Sequence, residues 1–392
     1  MIHIYFIDIY ETSVTGYTTY KSQLFNILKN IDNVVFNHVI LSYPTDDFFI
    51  KKNDSITTFY IPHAGYEIIG WLFRLYIKDS TNTVFFQNYT PSFPVLSVIR
   101  RSYKLSKIIF VIHDFIWASQ VQGNVDKFKS IINSLPNKYT EYNLLYESYE
   151  DNISTFKIVD KIICLSQSTY NLLNEFYKIN ENRLELIHNG LQKSKLLSKS
   201  LLKQKLNINE ETKIILFSGR FVRSKGAYAL IKSFENVIAE YPCCKLVVAG
   251  EFYLNSLTAI KNEIKTKIIF LGELDKKDLI DWYSVADIGV ISSYYEQCSY
   301  SCIEMMMRGL PIVASNGFGL DSMFSEENAI IAPIGNDEND DEYSLNLANA
   351  LIQILKSPEI RNKMSLISIQ TYKQKYEISY MKQAYKKLIQ NL

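Results

Sequence analysis

The 392-residue sequence is short of cysteine, of long uncharged apolar runs and of net charge, and each shortage removes a class of protein. Its five cysteines, Cys164, Cys243, Cys244, Cys298 and Cys302, are odd in number and scattered, with no CxxC pair and no histidines at zinc spacing. That argues against a disulfide framework or a zinc ribbon and fits a reducing cytoplasm. No uncharged run reaches the roughly 18 apolar residues that a bilayer-crossing helix requires. The opening MIHIYFID lacks a basic n-region and meets Asp8 before a signal-length apolar run can form, so it reads as a strand rather than a signal peptide. With 42 Lys and Arg against 41 Asp and Glu, the formal charge is +1. The broad positive field of a nucleic-acid binder is missing, and any bound anion must be met locally. There is no repeat of solenoid period. The acidic tract NDENDDE, Asn336 to Glu342, reads as a solvated loop, since a metal cage needs ligands from several directions.

What is present is enough apolar sequence for two cores. At 47% hydrophobic and a length above the usual single-domain range, two domains are the default. Short β-rich runs (IHIYFI, VVFNHVIL, TVFFQ, KIIFVIH, KIICLS) alternate with helical patterns, and runs that are apolar on both faces predict a parallel sheet covered on both sides. After HNGL a polar Lys- and Ser-rich stretch reads as a linker running into a helix. The rhythm then restarts with KIILFSG, CKLVVAGE, KIIFLGE, DIGVISS, PIVAS and AIIAP. This predicts an α/β protein of two doubly wound parallel sheets facing each other across a cleft, with a hinge near Gly190 to Lys205 and ligands beyond the carboxyl ends of the strands. The domains are expected at 1–192 and 193–375. The final helix, with Met381, Tyr385, Leu388 and Ile389 at helical spacing, needs a partner surface, which packing of 376–392 back on the first domain would supply.

One stretch, HAGYEIIGWLFRLYI from His63 to Ile77, is apolar apart from Glu67 and Arg74. It fits a buried helix, and it also fits an interfacial helix in peripheral contact with a membrane. Arg100, Arg101, Lys104 and Lys107 form a basic cluster that suits phosphate headgroups or an ordinary solvated face.

Two loops carry candidate chemistry. After KIILFS, the stretch GRFVRSKG packs Gly219, Arg220, Lys225 and Gly226 into a turn that opens a helix. Glycines let backbone approach an anion, and two cations five apart can converge on a diphosphate; plain surface charges fit the same spacing. After DIGVISS comes EQCSYSCIEMMMRGLPIVAS, in which Ser299 or Ser301 can cap a short helix that ends at Gly309 before Pro311. Glu296 then lies in the loop and Glu304 on the helix, with backbone N–H groups between them as a seat for phosphate oxygens. Two carboxylates beside an anion seat make sense when each accepts from hydroxyls, and a nucleotide sugar offers those at both ends. Met305, Met306 and Met307 read as core filler.

These residues, together with VVAGE, FLGEL and WYSVADIG, resemble glycosyltransferase family 4, the retaining group with the GT-B fold of two Rossmann-like domains. Glu296 and Glu304 match its E-x7-E signature; the likeness is strong over Lys213 to Phe324 and rests on order of elements before that. The resemblance implies that Arg220 and Lys225 bind the donor diphosphate and neutralise it as it leaves, with Gly16, Gly219, Tyr300 and Ser301 beside it. It implies that Glu296, with Gln297, Cys298 and Ser299, holds the donor sugar, and that Glu304 and Leu274 meet the nucleoside, Glu304 at the ribose diol. His113, at the end of KIIFVIH, matches the family histidine near the anomeric centre, although a lone histidine after a strand is commonly structural. Asn189 and Gly190 match the Asn-Gly before the linker.

Two departures from the family pattern stand out. Gln297, Cys298 and Ser299 replace a common Gly-Phe-Gly, and the first loop has one glycine where two are common. The implied catalytic set is His113, Glu296, Arg220 and Lys225. No Asp lies two positions after another, so the Asp-x-Asp metal clamp of the competing architecture is missing and no metal or other cofactor is expected. The expected donor is a nucleotide sugar, UDP-linked by family frequency, and the acceptor a glycan, a lipid-linked sugar or a peptide. A sugar-nucleotide epimerase or phosphorylase on the same scaffold, and a silent sugar-nucleotide-binding paralogue, are the alternatives.

Overall fold

The computed structural model of the chain describes residues 1–11, 16–53, 56–88, 92–134, 143–194, 198–253, 260–335 and 340–392. The chain forms two compact units, Met1–Asn189 joined by Ile378–Leu392, and Gly190–Glu377.

The first unit is built on β1 (Ile2–Ile9), β2 (Val34–Tyr43), β3 (Phe49–Asn53), β4 (Ile56–Pro62), β5 (Thr83–Gln87), β6 (Lys107–Ile112), β7 (Lys161–Cys164) and β8 (Leu184–Leu186), in the order β3-β4-β2-β1-β5-β6-β7-β8. Every pairing is parallel except β3 with β4. That antiparallel edge departs from the all-parallel sheet expected from sequence. Four of the five β3 residues are exposed, Lys51 and Lys52 among them, so the strand lacks the two-sided apolar run by which its neighbours are read, and its lysines blunt a free edge. All five residues of β5 are buried, as are Ile4 to Ile7 of β1, which is what helices on both faces of a sheet require. From β1 the chain moves outward to β2 and β4, then returns to β5 on the other side of β1. This reversal leaves a crevice at the carboxyl ends of β1 and β5.

The closing helix Ile378–Gln390 belongs to this unit and buries Met381, Tyr385, Leu388 and Ile389. The Tyr385 hydroxyl is hydrogen-bonded to that of Tyr20, on helix Gly16–Leu28, and its ring lies 6.2 Å from Phe86 of β5.

The second unit holds β9 (Lys213–Ser218), β10 (Cys244–Ala249), β11 (Ile268–Gly272), β12 (Ile288–Ile291), β13 (Ile312–Ser315) and β14 (Ala329–Ala332), all parallel, in the order β11-β10-β9-β12-β13-β14. Here the winding reverses between β9 and β12. Leu191, at the start of this unit, pairs with its end: its N–H donates to Tyr376 O at 2.9 Å and its carbonyl accepts from the Tyr372 hydroxyl at 2.9 Å.

Helix Tyr300–Met307 is short because its end is fixed chemically. Gly309 adopts φ +69, Leu310 N donates to Met305 O and Gly309 N to Met306 O, both at 3.0 Å, the paired bonds of a Schellman stop. Met305, Met306 and Met307 are buried, and Met305 fills the space left by Gly289 in β12. Ser299 takes the N-cap position but its side chain makes no capping bond, and Ser301 lies inside the helix, so the predicted hydroxyl cap is not made. The acidic tract is corrected in part: 336–339 lie outside the described residues, but Asp340 is buried rather than solvated. It accepts from the Tyr294 hydroxyl and lies 3.6 Å from Arg223, because a buried phenol and a nearby cation both need a carboxylate.

Candidate functional site

In the second unit the loops after β9 and β12 meet at the winding reversal, and backbone bonds hold them together. Tyr294 N donates to Ser224 O at 3.0 Å and Ser292 Oγ to Lys225 O at 2.8 Å. Gly226, at φ +67, packs so closely that a Cβ would lie 1.9 Å from Ser292 O. This clamp fixes Lys225 beside Glu296: Nζ and Oε1 are 2.6 Å apart, and Ser293 Oγ donates to the same oxygen at 2.8 Å. The side chains are 24% and 16% exposed, so the pair borders solvent yet is screened less than a surface pair.

A third loop supports this one. Glu296 N donates to Phe318 O at 2.8 Å and Phe318 N to Tyr294 O at 3.1 Å. Gly317 and Gly319 lie against the carbonyls of residues 293, 294 and 296. The two glycines of NGFGL, just after a strand, were the sequence signal for this brace, and the reading from sequence missed them.

Gly219 has φ +149 and donates from its N–H to Ala249 O at 2.9 Å; a Cβ on Gly250 would lie 2.1 Å from Gly219 O. This close pairing sends the chain outward at Arg220, which is exposed and has no ion-pair partner among the described residues. Glu304 is buried, and loss of hydration raises its pKa above the ordinary carboxylate value; a Tyr283 hydrogen bond and the charges of Lys276 and Arg308 oppose the rise. The Tyr283 hydroxyl is also hydrogen-bonded to Ser218 Oγ, at 2.9 Å. Glu304 is thus tied through Tyr283 to the last residue of β9, two positions before Arg220. Neither Tyr283 nor Ser218 was expected from sequence.

The remaining expected residues fall around these. Gln297 and Cys298 are buried, as is the Tyr300 side chain, while Ser299 and Ser301 are half-buried. Leu274 is half-buried at the entry to helix Lys276–Val285, which carries Tyr283.

The first unit has its own polar centre at the carboxyl ends of β1, β5 and β6. The ring of His113 is set between Tyr17, with centroids 5.3 Å apart, and Tyr20, at 4.6 Å, both edge-on. Its Nε2 donates to Asn88 Oδ1 at 2.8 Å. Loss of water around the ring pulls its pKa down to about 3 against a weaker opposing pull from Asp8, so His113 is neutral at physiological pH. Asp8 itself is buried at the end of β1, accepts from Tyr17, and lies 2.8 Å from Lys21 Nζ and 3.4 Å from His38 Nε2. Its pKa stays below the ordinary value because these partners together outweigh the cost of burial, the largest single effect. Gly16 begins helix Gly16–Leu28 rather than lying in a loop, and is exposed; the preceding 12–15 lie outside the described residues.

Two doubly wound, mostly parallel sheets, each with polar side chains gathered where its winding reverses, make the α/β architecture of the GT-B fold. Residues 198–371 match the family described as glycosyl transferases group 1. The chain is 30% identical to alpha-monoglucosyldiacylglycerol synthase of Streptococcus pneumoniae over 32% of its own length and 29% of that protein. It spans less than half the length of the curated relatives it matches. The fold is shared over the whole chain with sucrose-phosphate synthase from Thermosynechococcus elongatus, at TM-score 0.75 and 19% identity, covering 100% of this chain and 99% of that one. Anabaena HepE in complex with UDP-glucose matches at TM-score 0.69 and 14% identity, covering 99% and 100%.

Proposed function

We propose that the protein is a retaining, metal-independent glycosyltransferase that moves a sugar from a UDP-linked donor to an acceptor hydroxyl. The observation that carries this reading is the Lys225–Glu296 pair, clamped by backbone at the β9/β12 reversal with Arg220 exposed on the same strand end. A cation seated beside a carboxylate suits a ligand that brings phosphate and hydroxyls together: the ammonium turns to the diphosphate and the carboxylate is freed to accept from the sugar. Arg220 adds the second positive charge, and Glu304 takes the ribose diol at the far end of the nucleotide. UDP as the nucleotide is supported by the bound ligand of the HepE neighbour.

In the proposed step the bond from the anomeric carbon to the diphosphate oxygen breaks and its electron pair leaves with UDP. The acceptor oxygen bonds to the same face, and its proton passes to the departing phosphate oxygen. Lys225 and Arg220 stabilise the charge that develops on the leaving group, the main contribution asked of the protein.

The test is incubation with a panel of UDP-sugars in the presence of EDTA. Slow UDP release, lost in Lys225→Ala, supports the reading. Interconversion of the sugars without UDP release identifies an epimerase, and binding without turnover identifies a silent paralogue; either result overturns it.

A further inference from the structure

Helix Tyr66–Tyr76 packs by one face only. Ile69, Gly70 and Phe73 are buried, and Gly70 lies against Val98 of helix Phe93–Ser102. At 100° per residue the direction opposite that face is occupied by Ile68, Trp71 and Leu75, which are 55%, 53% and 57% exposed. An amphipathic helix of a soluble domain turns its polar residues outward. Here the outward stripe is isoleucine, tryptophan and leucine, and the helix's charged residues, Glu67 and Arg74, lie together on one flank.

That flank is basic. Arg74 donates to Ser102 Oγ at 3.0 Å, Arg101 lies 2.5 Å from Glu67, and Lys78 and Lys104 are exposed, beside Leu105 at 57% exposure. Of the two acidic groups on this side, Glu67 is matched by Arg101. Asp79 is occupied by the N–H groups of Lys104, Leu105 and Ser106 at 2.9 to 3.2 Å. Arg100 and Lys107, part of the basic cluster in the sequence, are instead engaged with Asp160. On the opposite flank Phe48 reaches Tyr76, ring centroids 5.2 Å apart, and brings Asp46 and Asp47, both exposed, to that side. The positive groups are therefore confined to the edge formed by Arg74, Lys78, Arg101 and Lys104.

We propose that this face docks on an anionic lipid bilayer, with Ile68, Trp71 and Leu75 entering the headgroup layer and Lys78 and Lys104 meeting lipid phosphates. An apolar stripe with a tryptophan at its centre and lysines along one edge matches an interface that is greasy below and negative above. The inference goes beyond the transferase reading and stands without it.

The chain carries its own probe. Of its three tryptophans, Trp117 and Trp282 are buried and Trp71 is exposed. Full-length protein mixed with phosphatidylcholine–phosphatidylglycerol vesicles is expected to sediment with them and to show a blue shift of tryptophan emission that disappears in Trp71→Phe. The variant Ile68→Ser/Trp71→Ser/Leu75→Ser, with its melting temperature checked, is expected to bind about a hundredfold more weakly. Lys78→Glu/Lys104→Glu is expected to lose about thirtyfold on these vesicles, on the basis of roughly 1 kcal/mol per basic residue, and little on phosphatidylcholine alone. The proposal is overturned if the wild type stays in the supernatant, or if the triple variant binds as well as the wild type. It is also overturned if gel filtration shows a dimer that the triple variant dissolves, since the face would then belong to a second copy of the chain.

Discussion

The carbonyl oxygen of Glu296 occupies the place where a side chain on Gly319 would begin: a Cβ there would stand 1.7 Å from it, on a backbone already at φ +87. A residue with any side chain must push the Glu296 loop away or change its own conformation. Gly319→Ala is therefore expected to lower stability by at least about 2 kcal/mol in urea titration. It is also expected to weaken UDP binding, because the displaced segment carries the carboxylate partner of Lys225. Unchanged unfolding and unchanged binding would together show that the brace is not needed.

Lys225 and Glu296 are coupled in the unliganded protein, and a double-mutant cycle of Lys225→Ala and Glu296→Ala should return about 1 to 2 kcal/mol. If Lys225 turns to a diphosphate on binding, the coupling measured with saturating UDP should shrink. A coupling that persists at full size in the complex would assign the pair to structure rather than to ligand.

Glu304 gives a pH dependence of definite sign. Its folded pKa lies above its unfolded one because burial disfavours the charge, so the protonated form stabilises the fold and that contribution is lost as pH rises through the folded value. Glu304→Gln, uncharged throughout, is expected to melt higher than the wild type at neutral pH, with the gain disappearing below about pH 4. The same substitution should weaken UDP binding at neutral pH if the carboxylate accepts from ribose, and should remove the acid limb of the wild-type binding curve.

His113 acts in the opposite sense. Its pKa falls to about 3 on folding, so between the ordinary histidine value and 3 the unfolded chain holds a proton that the folded chain does not. Stability is lost as pH falls through that window, by up to about 1.4 kcal/mol per pH unit for one proton. His113→Gln is expected to flatten this slope in urea titrations run from pH 7 to pH 4. His38, also lowered by burial against a pull from Asp8, retains part of the slope.

The strands were legible because a strand buried on both faces is a run of apolar residues with no polar interruption, and β5 and β9 show this plainly. β3 was not, since an exposed edge strand reads like a loop. In the site, Lys225 and Glu296 were found as separate motifs, and their contact joins residues 71 positions apart. What brings them together, the bonds from Ser292 and Tyr294 to the 224–225 backbone, depends on strands being neighbours in the sheet and leaves no local pattern. The same holds for Asp8, which from sequence only ended an apolar run. Its partners Tyr17, Lys21 and His38 reach it from the next helix and the next strand. Gln297, Cys298 and Ser299, where the family pattern has glycines, were legible as a departure, while the pair Gly317 and Gly319 stood in plain view 20 residues later.

The pairing of Tyr385 with Tyr20 makes the first unit discontinuous, its last helix arriving only after the whole of Gly190–Glu377 has been made. The surface around Tyr20 therefore stays uncovered until a segment that follows the second unit in the chain reaches it. Deletion of Ile378–Leu392 should thus harm the unit Met1–Asn189 and spare Gly190–Glu377.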